Sequence, residues 1–242
     1  GVMLPYYSPF KVAEQFLMLE ALFPGRVDLG VGRAPGGDMR TAQAVAAGTY
    51  NRGDIFAQQV TDLVGLMNGT LPSDHLAYGV LLQPQIETRP QLWVLGSSDF
   101  GGLLAAQLGM RFSFAHFINA HFGHAVAHAY RDRFQAGNED KPYLAAAVFV
   151  ICADTEQEAA DLEKAVDLRR VQMAYGLNAP IPSIAQGVAQ EYGPRERLVI
   201  DREKPRSIIG TPETVTERLH ALQEQFTADE LIVLTVAGSY QA

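Results

Sequence analysis

Cysteine is nearly absent: Cys152 stands alone among 242 residues. That excludes an internal disulfide framework and fits a reducing compartment, so the cytoplasm is the expected location. Long apolar runs are missing too. No stretch reaches the roughly 20 residues of a membrane-spanning helix, and no membrane partner is expected. Basic residues are scarce, with 19 Lys and Arg against 27 Asp and Glu and a formal charge of -8. This excludes general nucleic-acid binding, because phosphate contacts need clustered cations. Low-complexity segments are absent, as is any internal repeat beyond a strand–helix unit. The chain also lacks an initiator Met. It opens on Gly1-Val2-Met3-Leu4-Pro5, which reads as the tail of a strand, and it closes on Gln241-Ala242 just after another. Both ends look cut, so the natural protein is expected to be longer. An intact mass equal to that of these 242 residues would overturn this.

What is present can bury a full core: 48% of residues are hydrophobic and 19% charged. The length suits one large α/β domain or two small ones, and a single domain over 1–242 is expected. Ser8-Pro9 opens a helix whose stripe of Val12, Phe16 and Leu19 stops at Pro24-Gly25. A strand over 26–33 follows, then a Gly-rich loop. A second helix carries Phe56, Val60, Leu63, Val64 and Met67 and ends near Asn68-Gly69. Residues 70–90 show no period. Beyond them, strands at 92–95, 112–117, 143–152 and 230–236 alternate with helices. The stretch 176–206 reads as an excursion. With the fragment at Gly1, about six strands are expected. Near-continuous apolar strands alternating with amphipathic helices indicate a helix-covered parallel sheet, either open or closed as a barrel.

The run from Phe23 to Asp38 carries the strongest signal. In its strand Val27, Leu29 and Val31 point one way, and Asp28, Gly30 and Gly32 the other. The second face is nearly bare, so backbone and ligand could approach closely there. Arg33 stands at the strand's carboxyl end, well placed to hold an anion. Gly96-Ser97-Ser98 lies between Leu92-Trp93-Val94-Leu95 and a helix start. Free backbone N–H groups and the helix dipole make such a turn a ready phosphate cradle, although either serine could simply cap the helix. Arg52, before the second helix, is a weaker anion ligand.

His121, His124 and His128 recur at i, i+3 and i+7 on one helix face, and His116 precedes them. No metal is expected, because that helix has Ala125, Val126 and Ala129 to bury and a hydrated His-rich outer face is ordinary. His116 lies near a strand's carboxyl end. Acid–base work, ligand contact and a structural role all stay open for it. Cys152 ends an apolar strand and is expected to be buried and inert. Gly30-Val31-Gly32 imitates a dinucleotide fingerprint, but the third glycine is at the wrong distance and Pro35 interrupts the helix.

Taken together, several runs resemble the bacterial-luciferase-like flavin-dependent monooxygenases. They are Gly1-Val2-Met3-Leu4-Pro5, Ser8-Pro9, Ala13-Glu14-Gln15, Leu19-Glu20-Ala21-Leu22, Phe23–Asp38, Trp93–Ser98, Phe114-Ala115-His116-Phe117 and Ile209-Gly210-Thr211-Pro212-Glu213. The resemblance covers nearly the whole chain in order. It is nearest the single-chain members with a Gly-Arg-Ala-Pro-Gly-Gly-Asp loop. It implies a (β/α)8 TIM barrel lacking here its first two strands and last helix, with FMN at the strands' carboxyl ends. It places the FMN phosphate near Arg33, Leu95, Gly96, Ser97 and Ser98, with Arg52 as a second arginine. Gly1 and Val2 would lie beneath the isoalloxazine ring. The implied activity is oxidation of a small organic substrate by reduced FMN and oxygen, with the flavin reduced by a separate reductase or by NAD(P)H. The expected assembly is a homodimer. Catalytic residues do not transfer, because relatives carry them on the early strands. Three rivals remain: a non-catalytic flavin-binding protein on the same barrel, an enzyme using the deazaflavin F420, and a barrel isomerase or lyase acting on a phosphorylated substrate.

Overall fold

Apolar runs set the strands, and Pro, Ser and Gly punctuate the helices between them. The computed structural model describes residues 1–33, 39–46, 55–177 and 179–236. Arg52 and residues 34–38 of the Gly-rich loop lie outside the described residues. The chain divides into two compact units, Gly1–Ser113 with His128–Tyr143, and Phe114–Ala127 with Leu144–Ala242.

The first unit holds β1 (Val2–Met3), α1 (Pro9–Leu22), β2 (Asp28–Gly32), α2 (Met39–Val45), α3 (Phe56–Asn68), β3 (Gln91–Gly96) and α4 (Asp99–Gln107). Both β4 (Arg111–Ala115) and α5 (Gly123–Asp132) straddle the division. Ser8 is the extended N-cap of α1 and Pro9 its first residue. The helix closes where the Phe23 N–H bonds the Leu19 carbonyl at 2.8 Å. Glu20 is 0% exposed, and its Oε1 accepts the Gly25 N–H at 2.8 Å. A buried carboxylate thus holds the turn that feeds β2. In β2, Leu29 and Val31 are buried as the alternation requires. β1 and β3 flank it in parallel, pairing Val2 with Val31 and Gly32 with Leu95. Tyr130 fixes the far end of this unit: its hydroxyl donates to the Met110 carbonyl at 2.9 Å and accepts the Tyr143 N–H at 3.1 Å.

The second unit holds β5 (Leu144–Cys152), α6 (Glu156–Ala174), α7 (Ile184–Ala189), α8 (Pro194–Glu203), β6 (Ser207–Gly210), α9 (Pro212–Phe226) and β7 (Glu230–Leu234). Thr155 caps α6 by accepting the Glu158 N–H at 3.2 Å, and Ser183 with Gln186 forms a capping box on α7. β5 pairs in parallel with two strands. Its residues Ala145–Phe149 meet Glu230–Leu234 of β7, and Phe149–Cys152 meet Ser207–Gly210 of β6. Backbone groups alternate between the two edges of a strand, so parity assigns the edges. Ala147 O takes the Phe117 N–H, and Ala153 N–H bonds Gly210 O on that same edge. Leu144 O takes the Asp229 N–H on the other. β7 therefore lies along one edge of β5, while β6 lies along the opposite edge, past the end of β4.

The parallel α/β architecture stands as expected, with three corrections of detail. β6 adds a strand to the six expected. It is only four residues long, Ser-Ile-Ile-Gly, too short to show a period. β4 ends at Ala115, so His116 and Phe117 lie beyond the strand in a turn. Cys152 is exposed rather than buried. It is the last residue of β5, and its partner across the ladder is Gly210, which brings no side chain to cover it.

Candidate functional site

Strand register brings the predicted anion ligands together. Because Gly32 faces Leu95, Arg33 leaves β2 opposite Gly96, where β3 gives way to α4. The Arg33 guanidinium lies over the Phe100 ring, 4.5 Å from its centroid. Phe100 belongs to the first turn of α4, so the cation stands beside a helix N-terminus. Phe100 in turn packs on Phe56, with centroids 6.4 Å apart. Among the described residues Arg33 forms no ion pair.

Ser98 is the N-cap of α4, extended at φ -146° and ψ 170°, and its hydroxyl makes no cap bond. Asp99 Oδ1 instead accepts the Phe100 N–H at 2.9 Å. Gly96 and Gly101 let the helix sit tightly on the strand end, since a Cβ on Gly101 would lie 3.4 Å from the Gly96 Cα and from the Phe112 ring. Arg33 and Ser98 are exposed, while Gly96 and Ser97 are partly so.

The glycine face of β2 is not open. A Cβ on Gly30 would lie 2.9 Å from Leu95 Cδ1, and one on Gly1 3.0 Å from the same atom. Gly30 therefore has a packing reason: the Leu95 side chain crosses β2 there. Gly1 and Leu95 are neighbours, and Val2 pairs in the adjacent strand. Nothing in the sequence pattern alone assigns that contact, because it depends on register.

In the second unit, His116 is 8% exposed, and its Nε2 lies 2.8 Å from the Pro205 carbonyl. Its ring meets Phe226 edge-on, with centroids 5.7 Å apart. Burial holds its pKa below the ordinary value, opposed more weakly by the bond to Pro205. Neutral His116 thus donates to Pro205 and pins the turn before β6. Its buried Nδ1 finds no partner among the described residues. His121 precedes α5 rather than sharing its face, and His124 and His128 are exposed on it. One cavity of this unit, about 790 Å³, is lined by charges of both signs: Glu156, Glu163, Lys204 and Arg218. Its lining carries two carboxylates and two cations, and it does not include the Arg33 cluster.

The pattern of the whole chain decides the family. Residues 1–229 match the model of the luciferase-like monooxygenases. The chain belongs to the luciferase-like monooxygenase family. It is 38% identical over 243 residues to the uncharacterized protein YceB of Bacillus subtilis (strain 168), covering 100% of this chain and 73% of that one. It is 34% identical over 239 residues to the N-acetyl-S-alkylcysteine monooxygenase of the same organism, covering 97% of this chain and 70% of the relative. Among solved structures, apo-MsnO8 superposes with a TM-score of 0.85 at 30% identity, covering 100% of this chain and 72% of that one. Two more distant structures share the fold. The oxygenating constituent of 3,6-diketocamphane monooxygenase of Pseudomonas putida, in complex with FMN, has a TM-score of 0.55 at 19% identity, covering 96% and 70%. An F420-dependent secondary alcohol dehydrogenase, in complex with an F420-acetone adduct, has a TM-score of 0.57 at 14% identity, covering 97% and 72%. The expected luciferase-like α/β barrel class thus holds. Among the described residues, no helix is long and apolar enough to cross a membrane.

Proposed function

We propose that this chain is a flavin-dependent monooxygenase that holds FMN by its phosphate and oxidises a small organic substrate with oxygen. The observation that carries the reading is the Arg33 guanidinium resting on Phe100 at the N-terminus of α4. Cation, helix-end N–H groups and the Ser98 hydroxyl together suit a dianion. Gly96 and Ser97 complete the turn, and Leu95, Gly1 and Val2 would line the approach of the ring system. Arg52 is the further cation proposed for the phosphate.

The residues present fit the group. Ser98 has a hydroxyl free of any cap bond, and among the described residues Arg33 rests on a ring and pairs with no carboxylate. Reduced flavin would supply the oxygen chemistry, with its electrons coming from a reductase or NAD(P)H. The protein's own part is to bind and orient. Arg33 neutralises the phosphate, Ser98 donates to it, and Leu95 gives an apolar wall that excludes water. An FMN-bound neighbour and a relative named as a monooxygenase of N-acetyl-S-alkylcysteine support the flavin and the small organic substrate. The F420 neighbour keeps a deazaflavin as the second cofactor to assay.

The test compares FMN with riboflavin, which lacks the phosphate. Arg33→Ala should weaken FMN binding by about 10- to 100-fold, the equivalent of about 1.5–3 kcal/mol for a charged hydrogen bond. Riboflavin binding should be unchanged. Reduced FMN should then support oxygen uptake that rises with substrate. Equal affinity of the parent protein for FMN and riboflavin would overturn the phosphate site, and binding of F420 alone would overturn the cofactor.

A further inference from the structure

A second cavity, of about 620 Å³, lies under α6 in the second unit. Its β5 residues lie in the carboxyl-terminal half of that strand, the end at which α/β folds place ligands. Its floor is Phe149 and Ile151, on one face of β5, with Ser207 and Ile209 level with them on β6. Phe117, just past β4, closes one side with its ring 5.0 Å from that of Phe149, and Val236 follows β7. Leu162, Val166 and Met173 of α6 form the roof at helical spacing. The volume is that of a small-molecule pocket, and such pockets are mostly apolar with a few convergent polar groups.

Those polar groups are unusually one-signed. Four arginines line the cavity, Arg169, Arg170, Arg202 and Arg206, against the single lining acidic residue Glu203. Arg170 is satisfied: it pairs with Asp167 at 2.5 Å and donates to Ser207. Glu203 is shared by Arg202, at 3.0 Å, and Arg206. Among the described residues Arg169 has only the neutral Ala179 carbonyl, at 2.7 Å. The Nε of Arg206 is buried without an acceptor among the described residues. Even with Asp167 counted, cations exceed carboxylates by two, and one buried donor is left over. The excess of guanidinium groups over carboxylates is what favours an anionic ligand, since charge-assisted bonds to a carboxylate or sulfonate are the strong ones.

We propose that this cavity binds the organic substrate, and that the substrate is an amphiphilic anion. Its apolar body lies against Phe149, Ile151 and Met173, and its single carboxylate or sulfonate is held by Arg169 and Arg206. The assignment as substrate rests on the monooxygenase reading above, whereas the preference for an amphiphilic anion does not.

Calorimetry on the whole protein tests this with octanoate, 1-octanesulfonate and 1-octanol, with FMN titrated into the same samples. Both anions should bind at least about 10-fold tighter than octanol, the scale of one charged hydrogen bond. Arg169→Ala and Arg206→Ala should each remove most of that difference while leaving octanol and FMN affinity unchanged. Arg169→Lys, which keeps the charge, should restore part of it, and this variant keeps the test open if Arg206→Ala fails to fold. Equal binding of octanoate and octanol, or a preference that survives both alanine variants, would overturn the inference. So would a preference abolished by Arg33→Ala or by added FMN, because the anion would then be occupying the phosphate site. An intact octanoate preference in a protein that binds no flavin would overturn the proposed function alone.

Discussion

At the residue scale, Asp99 sets the limit on the proposed anion cradle. Its carboxylate occupies the first turn of α4 and takes the Phe100 N–H, one of the donors a phosphate would use. A negative side chain there favours the free helix and opposes an incoming dianion. Asp99→Asn is therefore expected to raise FMN affinity severalfold while lowering stability by about 0.3–1 kcal/mol. FMN titration and a thermal melt measure the two together, and weaker FMN binding in this variant would count against an anion at the turn. The place of Arg33 at a strand end and of Ser98 at a helix cap was legible from the sequence, because strand ends and serine caps leave local marks. The covering of Gly30 by Leu95 was not legible, since it depends on which residue the neighbouring strand sets opposite. The exposure of Cys152 likewise turns on its facing Gly210.

At the element scale, α6 is the roof of the arginine-lined cavity, and α7 braces it from behind. Gly187 of α7 lies against the backbone of α6, and a Cβ there would sit 2.4 Å from Ala165 N. Backbone cannot yield as a side chain can, so Gly187→Ala should destabilise by about 1–3 kcal/mol through overpacking. Urea unfolding reads this directly, and an unchanged midpoint would show that α7 does not brace α6. The excursion at 176–206 was recognisable from its prolines, yet its pair of helices was not, and the following β6 was missed. Elements of six, ten and four residues offer too few turns or alternations to declare a period. The longer β5, α6 and α9 announced themselves through apolar runs and caps.

At the scale of the whole molecule, His116 ties global stability to pH. Its folded pKa lies below the ordinary 6.5 because burial disfavours the charged ring. In that window the unfolded chain binds more protons, so this contribution to stability is present above the ordinary pKa and is lost as pH falls toward the folded value. The melting temperature should drop from pH 7 to pH 5, and His116→Phe should show a shallower drop. An identical slope in the variant would remove His116 from the account. The parallel sheet was legible at this scale because its strands are nearly continuous apolar runs, but which strand pairs with which was not. That pairing has a practical meaning for β6. It fastens to β5 past the end of β4, on the edge that β7 does not use, so the main ladder would remain whole without it. Arg206, one of the two arginines proposed to grip the substrate's charged end, hangs from the approach to this side-mounted piece, as a tool head hangs from a handle. Related chains could exchange the head, and with it the molecules they oxidise, without recutting the handle.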